Sequence, residues 1–257
     1  MTATAALLVP DLVASRETQF AYFDEILGHP VWSGKKILDF GGNSAVFLRR
    51  AQGIEHSDYW CMDVHEPALE RGRAEFPDAH FVHYDRCSGE YNPDGKRDLL
   101  LPDCGERFDF ILSFSVFTHV HRTELLELVA GLRKLLAPGG VLAFTFCDPR
   151  YDCSLSDPKM GQGSDTRKNL WRVPIHTKEE IDVLVEIAQT ASWCVVLDGE
   201  LYVEPGEELS PQRRDCTPWE SYCSYFTTEM MQSLVPDGTI HPPVRPEWQH
   251  CVVVRNR

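Results

Sequence analysis

Between residues 35 and 146, five short runs are apolar at nearly every position: KKILDF (35–40), YWCMDV (59–64), AHFVHY (79–84), RFDFILSF (107–114) and GVLAFTF (140–146). A strand that is apolar on both alternating faces must be covered on both, which is the mark of a parallel sheet sandwiched by helices. The segments between the runs supply them. TELLELVAGLRKLLAPGG is the clearest helix, with Leu125, Val129, Leu132 and Leu136 repeating on one face and Pro138-Gly139-Gly140 reading as its stop. SAVFLRR, after the first run, reads as the opening turns of another helix. Right-handed crossovers wind such a pattern into a Rossmann-like α/β sheet, and ligands of these sheets sit at the carboxyl ends of the strands.

The flanking segments read differently. SRETQFAYFDEILG (15–28) is an amphipathic helix from Ser15 to Gly28, and residues 1–34 form an N-terminal helical cap. After residue 147 the chain becomes polar and rich in Pro and Gly. TKEEIDVLVEIAQTA reads as a helix with Ile181, Leu184, Val185 and Ala188 inward, WCVVLDGELYV (193–203) as one strand, and TTEMMQSLV as a short helix. Seven of the 17 prolines lie between 205 and 246, so that stretch reads as loop. QHCVVVR (249–255) reads as a closing strand running antiparallel. Residues 35–257 are then one domain, with 148–248 containing an insertion on the substrate side.

Acids outnumber bases 39 to 25, for a net charge of −14. That field repels nucleic acid and anionic lipid and favours neutral or cationic ligands. MTATAALLVPDLVASRE lacks a basic segment, and no run approaches the roughly 20 apolar residues of a membrane span. Nine scattered cysteines without a CxxC pair read as reduced thiols, and the expected compartment is the cytoplasm. His119-Val120-His121 is the nearest approach to a metal-ligand pair and reads as a polar loop, so no metal is expected.

The strand ends carry the chemistry. Asp39 precedes Gly41-Gly42-Asn43, where glycines let backbone approach a ligand. Asp63 ends the second run and can accept two ribose hydroxyls or cap the helix that Pro67 opens. Asp85 follows the third run, and Ser113, Phe114, Ser115 and His119 the fourth. Together they outline a nucleoside pocket. No GxxxxGK[ST] is present, which argues against an NTPase.

This order of motifs, LDFGGN, YWCMDV, HYD, LPDCGERFDFILSFSVFTHV and LRKLLAPGGVLAFTF, resembles the class I S-adenosylmethionine-dependent methyltransferase family over about residues 35 to 147. The resemblance implies a seven-stranded, mostly parallel sheet with an antiparallel last strand and helices on both faces. It implies that Asp39, Gly41, Gly42 and Asn43 lie against the methionine moiety and sulfonium of S-adenosylmethionine. Asp63, with Val64 beside it, would take the ribose, Asp85 the adenine edge, and Phe114 or Ser115 the flank. The family prefers spaced glycines, whereas Asn43-Ser44-Ala45 fills the later positions here. Asn tolerates positive φ better than other non-glycine residues.

For methyl transfer the base candidates are His119 first, because imidazole titrates near neutrality, then Asp148, with His176 third and Tyr151 able to orient an acceptor. His119 also suits a capping role, and Asp148-Pro149 a turn. Phe20, Tyr22 and Phe23 either roof the cofactor or are core. Trp171, Tyr202, Trp219, Tyr222, Tyr225 and Phe226 line an aromatic acceptor cavity or form a local core. The expected activity is methylation of an O or N atom of a small organic molecule, of secondary-metabolite type, or of a peptide, and a homodimer is compatible with it. A non-catalytic nucleoside-binding partner on the same fold is the alternative. A nicotinamide-dependent oxidoreductase would want GxGxxG, which is missing.

Overall fold

The structure, a computed structural model, describes residues 19–151, 176–210, 219, 221–244 and 247–256. Seven strands form the main sheet: β1 (Ile37–Phe40), β2 (Tyr59–Asp63), β3 (His80–His83), β4 (Phe108–Ser113), β5 (Leu136–Phe146), β9 (Thr239–His241) and β10 (His250–Arg255). Their order is β3-β2-β1-β4-β5-β10-β9. The first five are parallel and β10 runs antiparallel to β5, as the sequence leads one to expect. Every residue of β1 and β2 is buried, because the sheet is covered on both faces.

On one face Tyr22 and Phe23 of α1 (Gln19–Ile26) pack with Phe47, Tyr59 and Cys251. On the other, Leu125, Leu128 and Leu132 of α3 (Arg122–Lys134) meet Phe144 and Val252. α2 (Glu66–Glu75) lies against β2 and β3, where Gly72 leaves room for the Phe81 ring. Ser15 falls outside the described residues, while Gly28 ends the α1 segment with φ +76°.

Five expectations are corrected. SAVFLRR is not an α-helix: β1 leads into successive turns and a 3-10 turn, Leu48–Arg50, since Asn43 and Ala45 both take positive φ, which an α-helix excludes. α3 ends at Lys134 and Leu136 already belongs to β5. Pro138-Gly139-Gly140 is a bulge inside that strand, with Phe108 paired to Leu136 but Phe110 to Val141. Residues 193–203 are two strands, β6 (Trp193–Leu197) and β7 (Glu200–Val203), reversed at Asp198-Gly199 with φ +48° and +82°. Asp-Gly between apolar runs is a strong hairpin signal, and both residues need the positive φ that they tolerate. β8 (Tyr222–Phe226) then pairs with β6 in a separate three-stranded antiparallel sheet, order β7-β6-β8, within the stretch read as loop. Finally, six described cysteines are free thiols but Cys87 is disulfide-bonded. Linear spacing does not show which distant cysteines approach each other.

α4 (Lys178–Thr190) covers the smaller sheet with Ile181, Val185 and Ala188 buried and Leu184 partly so. α5 (Thr228–Leu234) leads to β9. Among the described residues no helix is long and apolar enough to cross a membrane.

Candidate functional site

The carboxyl ends of β1 and β2 place two acids side by side. Asp39 is 3% exposed and accepts a short hydrogen bond from the Tyr59 hydroxyl. Burial pushes its carboxyl up to about 7; the Tyr59 bond opposes that shift and the charge of Asp63 adds to it. Asp63, 9% exposed, is also pushed up by burial, against the backbone N–H groups that hydrogen-bond it. The N–H of His65 donates to Oδ1 at 2.8 Å and that of Asn43 to Oδ2 at 2.7 Å. Among the described residues no Lys or Arg pairs with either carboxylate.

The turn between the acids is built from its own local chemistry. Gly41 has φ +79° and its N–H donates to Met62 O at 2.7 Å. Asn43, at φ +55°, turns its Oδ1 back to accept from the Ser44 N–H at 3.0 Å, and Asn is among the residues that tolerate left-handed backbone. Gly42 faces the acids: a Cβ there would fall 2.5 Å from Asp39 Oδ2 and 2.8 Å from Cys61 Sγ. Gly42→Ala is therefore expected to cost about 1–3 kcal/mol by overpacking, read as a lower urea midpoint at unchanged slope.

Other residues singled out from the sequence lie along the same edge. Val64 packs its side chain on the core and its carbonyl lies 3.2 Å from His83 Nε2. Asp85 accepts from Asn92 Nδ2 at 3.2 Å and pairs with Lys96 at 3.5 Å, and these partners hold its carboxyl below the usual range. Phe114 meets the rings of Tyr22 and Phe23 edge-on, at 5.6 and 6.2 Å. Ser115 sits at φ +59°, its N–H donating to Thr145 Oγ1 at 2.7 Å and its hydroxyl accepting from Gln249 Nε2 at 3.0 Å. Tyr22 donates to Gln249 O at 2.9 Å, so α1 is tied to this edge.

His119 ends a 3-10 turn after β4, with Nδ1 at 3.5 Å from Glu90 Oε2. Its neighbour His121 is the N-cap of α3, accepting from the Thr123 N–H, with Nε2 3.2 Å from Gly206 O; burial lowers its pKa. Asp148 is buried and fully engaged. It accepts from Arg150 N, Nε and Nη2 at 2.9, 3.0 and 2.7 Å, and from the Thr228 N–H of α5 at 3.0 Å. Those four bonds anchor α5 and leave the carboxylate little room to take a substrate proton. Tyr151 packs edge-on against His250, 5.5 Å between ring centres. His176 lies by the β6–β7 turn, Nε2 3.0 Å from Gly199 O.

Tyr222, Tyr225 and Phe226 are fully buried: Tyr222 and Phe226 join the core that continues into the main sheet, and Tyr225 the core under α4. Trp171 falls outside the described residues. Tyr59, Thr145, Gln249 and Glu90 were not legible as site residues, since the contact from Gln249 to Ser115 spans 134 positions. A surface concavity of about 510 Å³ runs along the edge strand by Trp60, Arg73, His80, Phe81 and Cys104. It starts from the amino-terminal ends of β2 and β3 and does not adjoin the two acids.

Residues 38–142 match the family profile described as a methyltransferase domain. No curated protein matches the chain in sequence. Among solved structures, magnesium protoporphyrin IX methyltransferase (ChlM) from Synechocystis PCC 6803, with bound SAH, is similar at 11% identity and a TM-score of 0.52. That match covers 100% of this chain and 90% of the other. The same enzyme with bound SAM matches at 10% identity and 0.51, covering 100% and 87%. At that identity the likeness is one of fold. The strand order and the match over residues 38–142 agree: that stretch carries a methyltransferase domain on a Rossmann-like sheet.

Proposed function

We propose that this chain transfers a methyl group from S-adenosylmethionine to an O or N atom of a small, neutral or cationic organic acceptor. The observation that carries the reading is the pair of buried acids, Asp39 and Asp63, flanking the Gly41–Asn43 turn with no Lys or Arg paired to them among the described residues. Two such carboxylates are costly to bury without a counter-charge, and a cationic nucleoside supplies one. When bound, that cofactor supplies an electrophilic methyl on a positively charged sulfur.

The residues then divide the work. Asp39 and the Gly41-Gly42-Asn43 turn would hold the amino-acid end. Asp63 would accept the ribose hydroxyls, with Val64 alongside, Asp85 would sit at the adenine edge, and Phe114 and Ser115 would close the flank. Alignment of donor and acceptor is worth about 7–11 kcal/mol of barrier, and a base a further 10²–10⁴-fold where the acceptor must lose a proton. His119 is the residue for that task, because Asp148 is committed to Arg150 and α5. Tyr151 borders the region where an acceptor would be oriented.

One observation favours the second reading, a nucleoside-binding partner without catalysis: both Asp63 oxygens already accept backbone N–H bonds. Each oxygen has a further acceptor site, so the ribose can still be taken. Calorimetry of the purified protein with S-adenosylmethionine, S-adenosylhomocysteine and NAD separates the cases. Micromolar binding of the first two with none of NAD is expected. Binding of NAD alone, or of none, would overturn the methyltransferase reading.

A further inference from the structure

His119 is held from two sides. Its own 3-10 turn, Phe117–His119, is closed by the His119 N–H donating to Val116 O at 2.8 Å, and Ser224 of β8 secures the next residue by donating to Val120 O at 2.7 Å. Facing the ring is the loop that follows β3. Its tip is a tight reversal, in which the Ser88 N–H donates to Asn92 O at 3.0 Å and the Asn92 N–H to Ser88 O at 2.8 Å. The ladder continues through Cys87 N–H to Lys96 O and Lys96 N–H to Asp85 O, at 2.9 and 2.8 Å. At the tip, Gly89 lies under the Trp219 ring so closely that a Cβ would fall 2.5 Å from its carbons.

These contacts leave the tip little freedom and aim two side chains at His119. Glu90 Oε2 lies 3.5 Å from Nδ1, and the Tyr91 ring stands edge-on with centres 5.4 Å apart. The imidazole and the Glu90 side chain are only 26% and 15% exposed. His119 Nδ1 itself is shut off from solvent and makes no hydrogen bond among the described residues. A buried N–H in that position is expensive to leave unsatisfied.

We propose that Glu90 is a positioning residue: its carboxylate accepts the Nδ1–H of His119 and so fixes the ring with Nε2 unprotonated. Two consequences follow for the chemistry. Nε2 is then the atom that receives the acceptor's proton, and the imidazolium formed has its charge balanced by the Glu90 carboxylate at the opposite ring nitrogen. Tyr91 adds the second constraint, fixing the ring plane from its edge. At 3.5 Å the contact is long for a hydrogen bond, and such contacts tighten when an acceptor is bound. The proposal rests on the reading of His119 as the base.

Multiple-bond ¹H–¹⁵N spectra of the imidazoles test it without a known acceptor, with His119→Gln identifying the signals. The neutral ring is expected to carry its proton on Nδ1 in the wild type and to shift towards Nε2 in Glu90→Ala. A wild-type ring protonated on Nε2, or one whose tautomer is the same in Glu90→Ala, overturns the proposal. Should Glu90→Ala fail to fold, Glu90→Gln keeps the volume and removes the charge. The low-field Nδ1 proton of the imidazolium is then expected in the wild type and lost in the variant, and its persistence would be the overturning result. Cofactor titration of the wild type decides the functional reading separately, because it does not depend on the tautomer.

Discussion

Asp63→Ala is expected to lose about 10²-fold in affinity for S-adenosylhomocysteine and about 2–3 kcal/mol of stability together. The two losses have separate causes. Hydrogen bonds to a charged group contribute about 1.5–3 kcal/mol each, and the two ribose hydroxyls would lose theirs. The backbone N–H groups of Asn43 and His65, now 2.7 and 2.8 Å from the carboxylate, would lose their acceptor in the same step. Asn43 at φ +55° has less to hold it there once that bond is gone. Asp63→Asn retains one acceptor oxygen and should fall between the two. Calorimetry well below the unfolding temperature separates binding from folding. An Asp63→Ala protein that binds as the wild type does would show that the ribose lies elsewhere.

A second large effect is expected in the pH dependence of stability, through Asp39. Burial disfavours the charge and pushes its carboxyl up to about 7 in the folded chain, from an ordinary value near 3.8. Between those values the folded state holds a proton that the unfolded state has released. Stability therefore declines as pH rises from about 4 to about 7, by up to about 1.4 kcal/mol per pH unit and on the order of 4 kcal/mol in all. Asp63, also shifted upward, contributes with the same sign. His121 and His250, both lowered by burial, oppose it, since they lose stability as pH falls below the imidazole range. The difference between wild type and Asp39→Asn isolates Asp39. The variant should match the wild type near pH 4 and be the more stable protein at pH 8. Parallel urea midpoints across that range would show that Asp39 is not a buried, uncompensated acid. A cation bound beside Asp39 stabilises its ionised form, so cofactor binding near pH 6 should release a proton.

Much of the candidate site was legible because its residues lie in one place along each strand. Asp39, Gly41, Gly42 and Asp63 follow directly from where the apolar runs stop, and parallel strands bring all such stops to one edge. The turn was legible in its residues but not in its form. SAVFLRR has the composition of a helix, yet left-handed backbone at Asn43 and Ala45 diverts it into turns. Asp148 shows the opposite limit. Its place after β5 suggests a base, while three bonds from Arg150 and one from the start of α5, 80 positions away, make it an anchor. The smaller sheet was missed for a similar reason: β8 lacks a nearby partner in sequence and becomes a strand by pairing with β6.

Local order along the chain was enough for the parallel sheet, its antiparallel close and the row of acids, since strand length, apolar runs and glycine are read within a few residues. What surrounds each acid was decided only in three dimensions. Tyr59 reaches Asp39, Gln249 reaches Ser115 and Glu90 reaches His119 because the packed sheet and its loops bring together side chains separated by 20, 134 and 29 positions. Burial and proximity, which govern charge and proton affinity, are properties of that packing and leave no mark on neighbouring residues.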